Sequence, residues 1–171
     1  MDVFIEQIVK KKYDSKDYLI FAGIVLGTLV LLFACFFVRV LAGFGFILAI
    51  GVVVGAYYLI ISRNLEFEYS VTNGDITIDK IINRSKRKRV ISFEAHSIEE
   101  MGKYNAEKLQ GKSYEKRLFT GDSLENTESW YMSFHSTKTG YTLLVFTPNE
   151  KVLTAIKPFL THQVIHDAFG R

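Results

Sequence analysis

Two long apolar runs near the N-terminus constrain this 171-residue chain more than any other feature. They cover Tyr18–Val38 and Val40–Ser62, and Arg39 between them is the one residue of fixed charge in the whole stretch. A helix rises about 1.5 Å per residue and the hydrocarbon core is roughly 30 Å thick, so about 20 residues can cross it. A buried helix of a water-soluble protein rarely stays apolar on every face for that length. The runs therefore predict a two-helix transmembrane hairpin.

The composition changes after the second run, where charged residues become frequent and apolar residues alternate with polar ones. We therefore predict three parts: an N-terminal segment over residues 1–17, the hairpin over residues 18–62, and one compact domain over residues 63–171. The net charge of +3 gives no reason to expect a nucleic-acid partner. Cys35 is the only cysteine, so no disulfide can form within the chain and nothing indicates an oxidising compartment.

The basic residues that flank the apolar runs predict the orientation of the hairpin. Lys10, Lys11, Lys12 and Lys16 precede the first run, and Arg63 follows the second. Lysine and arginine are enriched in cytoplasmic flanks, whereas acidic residues count little. We therefore predict a multi-pass membrane protein with both termini in the cytoplasm.

The N-terminal segment Val3–Lys12 has an apolar face that suits a short helix. Phe4, Ile5, Ile8 and Val9 share that face, and lysines close it. Such a helix can lie at the headgroup boundary with its apolar side among the acyl chains. The other interpretation is a cytosolic extension of the first membrane helix.

Each apolar run contains two glycines four residues apart, Gly23 and Gly27 in the first and Gly51 and Gly55 in the second. This spacing gives a flat stripe on which another helix can approach closely. The simplest use is packing of the two runs against each other, and a homo-oligomer through the same stripes is the alternative. The connecting turn is predicted over Arg39–Gly45, where Gly43 and Gly45 permit tight geometry.

The remainder of the chain has the alternation and turn residues of a β-domain. Asn73-Gly74 is a strong two-residue hairpin signal, because both turn positions need a positive φ. The seven predicted strands are Leu65–Val71, Asp75–Asp79, Val90–Glu94, Ile98–Tyr104, Lys116–Thr120, Ser129–Ser136 and Tyr141–Thr147. Asn105–Lys116 is polar and is predicted to be a loop.

Helical periodicity replaces the alternation after the last strand. Thr147-Pro148-Asn149-Glu150 resembles a helix start, with threonine as the cap, proline at the first position and glutamate three residues after the cap. Pro158 is expected to bend or divide this helix, which makes Thr161–Phe169 a second segment.

Seven strands followed by a capped helix, together with the run Glu66-Phe-Glu-Tyr-Ser-Val-Thr-Asn-Gly-Asp-Ile-Thr-Ile and the later Val90-Ile-Ser-Phe-Glu, resemble bacterial PH-like domains. The whole chain resembles small two-span membrane proteins of Gram-positive anaerobic bacteria, a domain-of-unknown-function family. The resemblance implies an α+β fold: a two-helix transmembrane hairpin followed by a PH-like, seven-stranded, partly open β-barrel capped by a C-terminal helix. It implies no activity, because one fold serves many functions.

A basic cluster between two predicted strands is the main candidate site. Arg84, Lys86, Arg87, Lys88 and Arg89 place five bases in six residues. They can contact an anionic leaflet, or a protein or nucleic-acid partner, or they can simply keep an exposed sheet edge soluble. Lipid-binding PH domains of eukaryotes usually bind inositol phosphates around the first hairpin loop. That loop is the minimal Asn73-Gly74 here, so this specificity is not expected.

The sequence contains no recognisable catalytic or cofactor motif. His162 and His166 have the spacing of metal ligands on a helix, but no further ligand completes a site. No glycine-rich phosphate loop and no nucleophile elbow is present. We therefore expect no metal, cofactor or enzymatic activity, and we predict a membrane-anchored binding or scaffolding module. The alternative is a small accessory subunit of a larger membrane transporter or envelope enzyme complex.

Overall fold

The structure is a computed structural model that describes residues 3–38, 42–123 and 127–170. Within these ranges the chain forms two compact units. The β-unit consists of Met1–Lys12, Glu66–Ile81 and Ser85–Arg171, and the helical unit consists of Tyr13–Leu65 and Ile82–Arg84. The β-unit therefore takes chain from both sides of the apolar helices, and the predicted division into 1–17, 18–62 and 63–171 does not follow the units.

Eight strands of the described residues form two four-stranded sheets. The first sheet has the order β1-β2-β3-β4, with β1 at Phe4–Lys10, β2 at Leu65–Thr72, β3 at Asp75–Ile82 and β4 at Lys86–Glu94. The second has the order β5-β7-β8-β6, with β5 at Ile98–Lys103, β6 at Lys116–Phe119, β7 at Trp130–Ser136 and β8 at Gly140–Phe146. Strands β2 to β8 overlap the seven predicted strands, although β4 begins four residues before its predicted start at Val90. The predicted count of seven is therefore one short of the strands in the described residues.

The additional strand is β1, and it replaces the helix predicted at the N-terminus. It runs antiparallel to β2, with Phe4 opposite Thr72 and Lys10 opposite Glu66. Its exposure alternates residue by residue, as a strand requires and a helix does not. The helical prediction is wrong because it assigns Ile8 and Val9 to one face.

Side-chain contacts on the core side attach β1 to the rest of the β-unit. Ile5 packs against the core and Val9 is buried in it. The amide of Gln7 donates from Nε2 to the carbonyl of Thr147 at 3.0 Å, and its Oε1 accepts the backbone N–H of Asn149 at 2.8 Å. The N-terminal residues are therefore part of the fold of this unit.

One apolar core connects the two sheets and the C-terminal helices. Phe134 is fully buried and stacks on Phe93 from the other sheet, with ring centroids 3.9 Å apart. The Tyr69 hydroxyl donates to the carbonyl of Thr120 at 2.6 Å and accepts the N–H of Thr147 at 3.2 Å. Burial raises the pKa of Tyr69 to about 12, so this hydroxyl stays neutral and bonded at physiological pH.

The predicted turn between the first two predicted strands is confirmed. Asn73 and Gly74 join β2 to β3 with φ values of 50° and 92°. Asn tolerates the left-handed region and glycine occupies it without steric cost, which explains why this pair forms the tight turn.

The region predicted as a polar loop contains a short helix, α3, at Ala106–Leu109. Leu109 is buried against Leu143 and Val145 of β8, and Tyr114 packs beside them. These contacts cover the outer face of the second sheet, so the prediction of an unstructured connection is wrong in this part.

The C-terminal segment forms two helices, α4 at Glu150–Ile156 and α5 at His162–Phe169. Asn149 is the N-cap of α4, and its Oδ1 accepts the N–H of Val152 at 2.9 Å, so the predicted cap lies two residues too early. Pro158 lies in a single 3-10 turn between the helices, as expected from its missing N–H.

The helical unit contains α1 at Ser15–Phe37, a 3-10 turn at Ala42–Phe44 and α2 at Gly45–Ile61. By length and composition α1 meets the requirements of a membrane-spanning helix, and almost none of it is buried within the protein. α2 is also apolar but has 17 residues. Gly45 is buried, and a Cβ there would lie 2.7 Å from the Cys35 carbonyl oxygen, so glycine permits the close return of the chain. Arg39 lies outside the described residues.

Candidate functional site

The basic segment, defined as Arg84, Lys86, Arg87, Lys88 and Arg89, lies mainly on a strand. β4 begins at Lys86, so four of the five cations of the basic segment belong to the strand and only Arg84 belongs to the turn before it. Since β4 is an edge of the first sheet, the segment lies along an exposed border of the β-unit. The prediction that the cluster lies between two strands is therefore wrong for Lys86, Arg87, Lys88 and Arg89.

Two of the arginines are paired with carboxylates on other strands of the same sheet. Arg89 Nε donates to Asp79 Oδ1 at 2.7 Å, and this bond raises the pKa of Arg89 above its ordinary value. Arg87 Nη2 lies 2.7 Å from Glu68 Oε2 in an ion pair whose geometry falls outside that of a hydrogen bond. Both arginines nevertheless stay more than half exposed.

The carboxylates under these arginines are buried on the outer face of the first sheet. Glu66, Glu68 and Asp79 are each less than 10% exposed. Burying a carboxylate without a partner is costly, so Arg87 and Arg89 have a structural role for Glu68 and Asp79. The alternation of apolar and polar residues in β2 predicts that Glu66 and Glu68 point away from the core. It does not predict that they are buried.

Lys86 and Lys88 differ from the arginines. Both are exposed, and neither forms an ion pair with any residue that the structure describes. Their charges are thus fully available to an anionic ligand. The segment combines two structural arginines with two lysines that are available for contact.

The turn that precedes the basic segment is attached to the end of α2. Asn83 and Arg84 have φ values of 49° and 53°, as the two central residues of a tight hairpin turn require. The N–H of Asn83 donates to the carbonyl of Asn64 at 2.8 Å, and Asn64 follows α2 by three residues. The first cation of the segment is therefore held close to the end of an apolar helix.

An ion pair joins the two ends of the helical unit. Arg63 donates from Nη2 to Oδ1 of Asp17, whose side chain is almost completely buried. Asp17 lies in the first turn of α1 and Arg63 follows α2, so the start of one helix lies beside the end of the other. The sequence shows both residues but gives no sign of their pairing.

The four glycines predicted to pack helices have open surroundings. A Cβ built at Gly23, Gly27, Gly51 or Gly55 would meet no atom within 4 Å, apart from the helix's own backbone. The structure therefore does not place these glycines in the contact between α1 and α2. Both stripes are free for another helix or for lipid.

The histidines and acids are dispersed over the β-unit. His135 Nδ1 lies 2.6 Å from Glu99 Oε1, and His96 lies 3.1 Å from Glu94, with all four side chains exposed. Among the described residues no group of three or more His, Cys, Asp and Glu side chains could hold a metal ion. The imidazole of His166 lies 3.3 Å from Asp167 Oδ1, its neighbour in the sequence.

Comparison with known proteins places the whole architecture in one family. The chain matches a bacterial PH-like domain family (DUF6106) over residues 1–166, a range that includes β1, both apolar helices and both sheets. No curated protein and no solved structure is significantly similar to the chain. On the extent of the family match, the chain belongs to the bacterial PH-like domain family DUF6106.

Proposed function

We propose that this protein is a two-span membrane protein that holds a non-catalytic PH-like binding module against the cytoplasmic leaflet. Membership in a PH-like domain family indicates a binding or scaffolding module. The membrane anchor, the orientation and the ligand are the further steps of the proposal.

The lengths of the helices support two spans. The 23 residues of α1 extend about 35 Å, which exceeds the roughly 30 Å hydrocarbon core. The 17 residues of α2 extend about 26 Å, and the 3-10 turn that directly precedes them adds about 6 Å.

The pairing of β1 with β2 supports the return of the chain to its starting side. β1 ends before α1 begins, and β2 begins after α2 ends, yet the two strands are neighbours in one sheet. A chain that crosses the bilayer through α1 must therefore cross back before Leu65. The ion pair between Asp17 and Arg63 is consistent with the same arrangement, and the flanking lysines favour the cytoplasm.

The ligand that we propose is the anionic surface of that leaflet, contacted by the basic segment. The observation that carries this proposal is the hydrogen bond from Asn83 to Asn64, because it holds the start of the segment beside the end of α2. A basic residue close to an anionic leaflet contributes about 1 kcal/mol to the free energy of binding to the membrane surface. The covalent anchor keeps the module at the surface, so weak attraction is sufficient.

An accessory subunit of a larger membrane complex is the second candidate. The open surroundings of Gly23, Gly27, Gly51 and Gly55 favour it, because a helix of another protein, or of a second copy, can approach closely there. Copurification of a stoichiometric partner from native membranes, lost on Gly27→Leu and Gly51→Leu, would support this candidate.

The proposed lipid contact can be measured on the full chain in nanodiscs. A fluorescent label at Ser92→Cys in β4, in a Cys35→Ala background, is exposed to lipids that carry a nitroxide on the headgroup. We expect quenching to rise with the fraction of anionic lipid and to fall in about 1 M salt, where the Debye length is about 3 Å. Lys86→Ser with Lys88→Ser should lower the ratio of bound to unbound module roughly 30-fold, at about 1 kcal/mol per residue.

Arg87→Ser with Arg89→Ser provides the matched control, since it removes the same charge. This variant also leaves Glu68 and Asp79 without their partners, so we expect the free energy of unfolding to fall by about 1–3 kcal/mol. The lysine variant should keep wild-type stability. Equal quenching in neutral and anionic discs, unaffected by salt, would contradict the lipid contact.

A further inference from the structure

The first strand presents two large apolar side chains to solvent. Phe4 and Ile8 are each 60% exposed. Among the described residues of the β-unit, Phe119 on β6 is the only other large apolar residue of that kind. The two residues are four apart on β1, so they form a row on one face of the strand.

This row lies on the outer face of the first sheet. Ile5 and Val9 contact the core, so the alternate residues Phe4, Glu6 and Ile8 point away from it. Ile8 is directly opposite Glu68 on β2, and Glu68 in turn pairs with Arg87 of β4. The apolar row on one edge strand and the paired arginines Arg87 and Arg89 on the other therefore share one surface.

Most of the acidic charge of this surface is withdrawn from solvent. Glu66, Glu68 and Asp79 are buried, whereas Arg87, Arg89 and Lys10 are exposed. Glu6, between the two apolar residues, is the exposed acid on β1. The surface consequently presents cations and apolar groups together, which is the combination that adsorbs to an anionic bilayer.

A short linker joins this strand to α1. β1 ends at Lys10 and α1 begins at Ser15. Five residue steps extend about 17 Å at most. The end of β1 thus stays within that distance of the helix that meets the requirements of a membrane span.

We propose that Phe4 and Ile8 insert into the headgroup region of the same leaflet and fix the outer face of the first sheet against the bilayer. The inference rests on the proposed anchoring of the chain by α1 and α2. It adds to the proposed lipid contact an apolar component that does not depend on salt. The N-terminal strand then has two faces with two roles: its inner face completes the core, and its outer face contacts lipid.

The test uses tryptophan as a depth probe in the full chain, at one copy per nanodisc. Phe4→Trp and Ile8→Trp are compared with Phe119→Trp, and the emission of the native Trp130, which is buried, is subtracted with the unsubstituted protein. We expect lipids with a shallow nitroxide to quench the probes at positions 4 and 8 at least threefold more strongly than the probe at 119, in about 1 M salt as well.

Ile8→Asp gives a second measurement, because it removes one inserting side chain from an exposed position. It should lower the quenching of the probe at position 4 while the near-ultraviolet circular dichroism stays unchanged. Quenching at positions 4 and 8 no stronger than at 119 would overturn the inference, as would quenching that appears only with two copies per disc. Quenching at positions 4 and 8 with no effect of Lys86→Ser and Lys88→Ser would support this inference and reject the anionic contact.

Discussion

Val9→Asp is expected to unfold the β-unit, whereas Ile8→Asp is expected to leave it folded. Val9 is 9% exposed and belongs to the core, while its neighbour Ile8 is on the outer face. The substitution at Val9 removes about 1.5–3 kcal/mol of apolar burial and places a carboxylate in an apolar environment, at a cost of several kcal/mol more. A domain with a stability of about 5–15 kcal/mol does not tolerate that loss well.

The two variants are measured in the full chain in detergent by thermal unfolding and by limited proteolysis of the β-unit. Their comparison separates a strand from a helix at the N-terminus, because a helix with Phe4, Ile5, Ile8 and Val9 on one face predicts equal effects. Equal loss of stability in both variants, or none in either, would contradict the pairing of β1 with β2.

Gly74→Val is the second substitution with a large expected effect. Gly74 has a φ of 92°, and a Cβ there would lie 2.9 Å from ring atoms of Phe159. The left-handed conformation costs an L-residue about 1–2 kcal/mol, and overpacking adds roughly 1–3 kcal/mol. We therefore expect the free energy of unfolding to fall by about 2–5 kcal/mol in a denaturant titration.

Asn83→Gly is the matched control for that substitution, because Asn83 also has a positive φ, 49°, in the other hairpin turn. Glycine adopts a positive φ more readily than asparagine does. The free energy of unfolding of this variant should therefore equal or slightly exceed that of the wild type. A loss of stability at position 83 as large as that at position 74 would show that the positive φ does not explain the effect of Gly74→Val.

The features that could be predicted from the sequence are local ones. The alternation of Leu65–Val71 and the pair Asn73-Gly74 specify a hairpin within 15 residues, and the structure has that hairpin. Pro158 likewise marks the division between α4 and α5 through its own covalent geometry. In each case the residues that determine the structure are neighbours in the sequence.

The features that could not be predicted depend on distant partners. Phe4, Ile5, Ile8 and Val9 fit a helical spacing, and the strand forms because β2, about 60 residues later, provides hydrogen bonds and a core for it. A strict count of alternate positions in the segment would have favoured the strand. Tertiary context overrode the local pattern.

The candidate site shows the same limit. The five bases of the basic segment are plain in the sequence, but the division between paired arginines and available lysines depends on Glu68 and Asp79 on other strands. The glycine stripes are equally visible, yet their spacing does not specify which neighbour they face.

The sidedness of the chain tests the central claim most directly. Single cysteines at Glu6, Gly43 and Thr137, in a Cys35→Ala background, are labelled with an impermeant maleimide in intact cells and in inverted vesicles. We expect positions 6 and 137 to react only in inverted vesicles and position 43 to react only in intact cells. Positions 6 and 137 on opposite sides, or all three positions on one side, would contradict a hairpin that returns the chain to the sheet begun by β1.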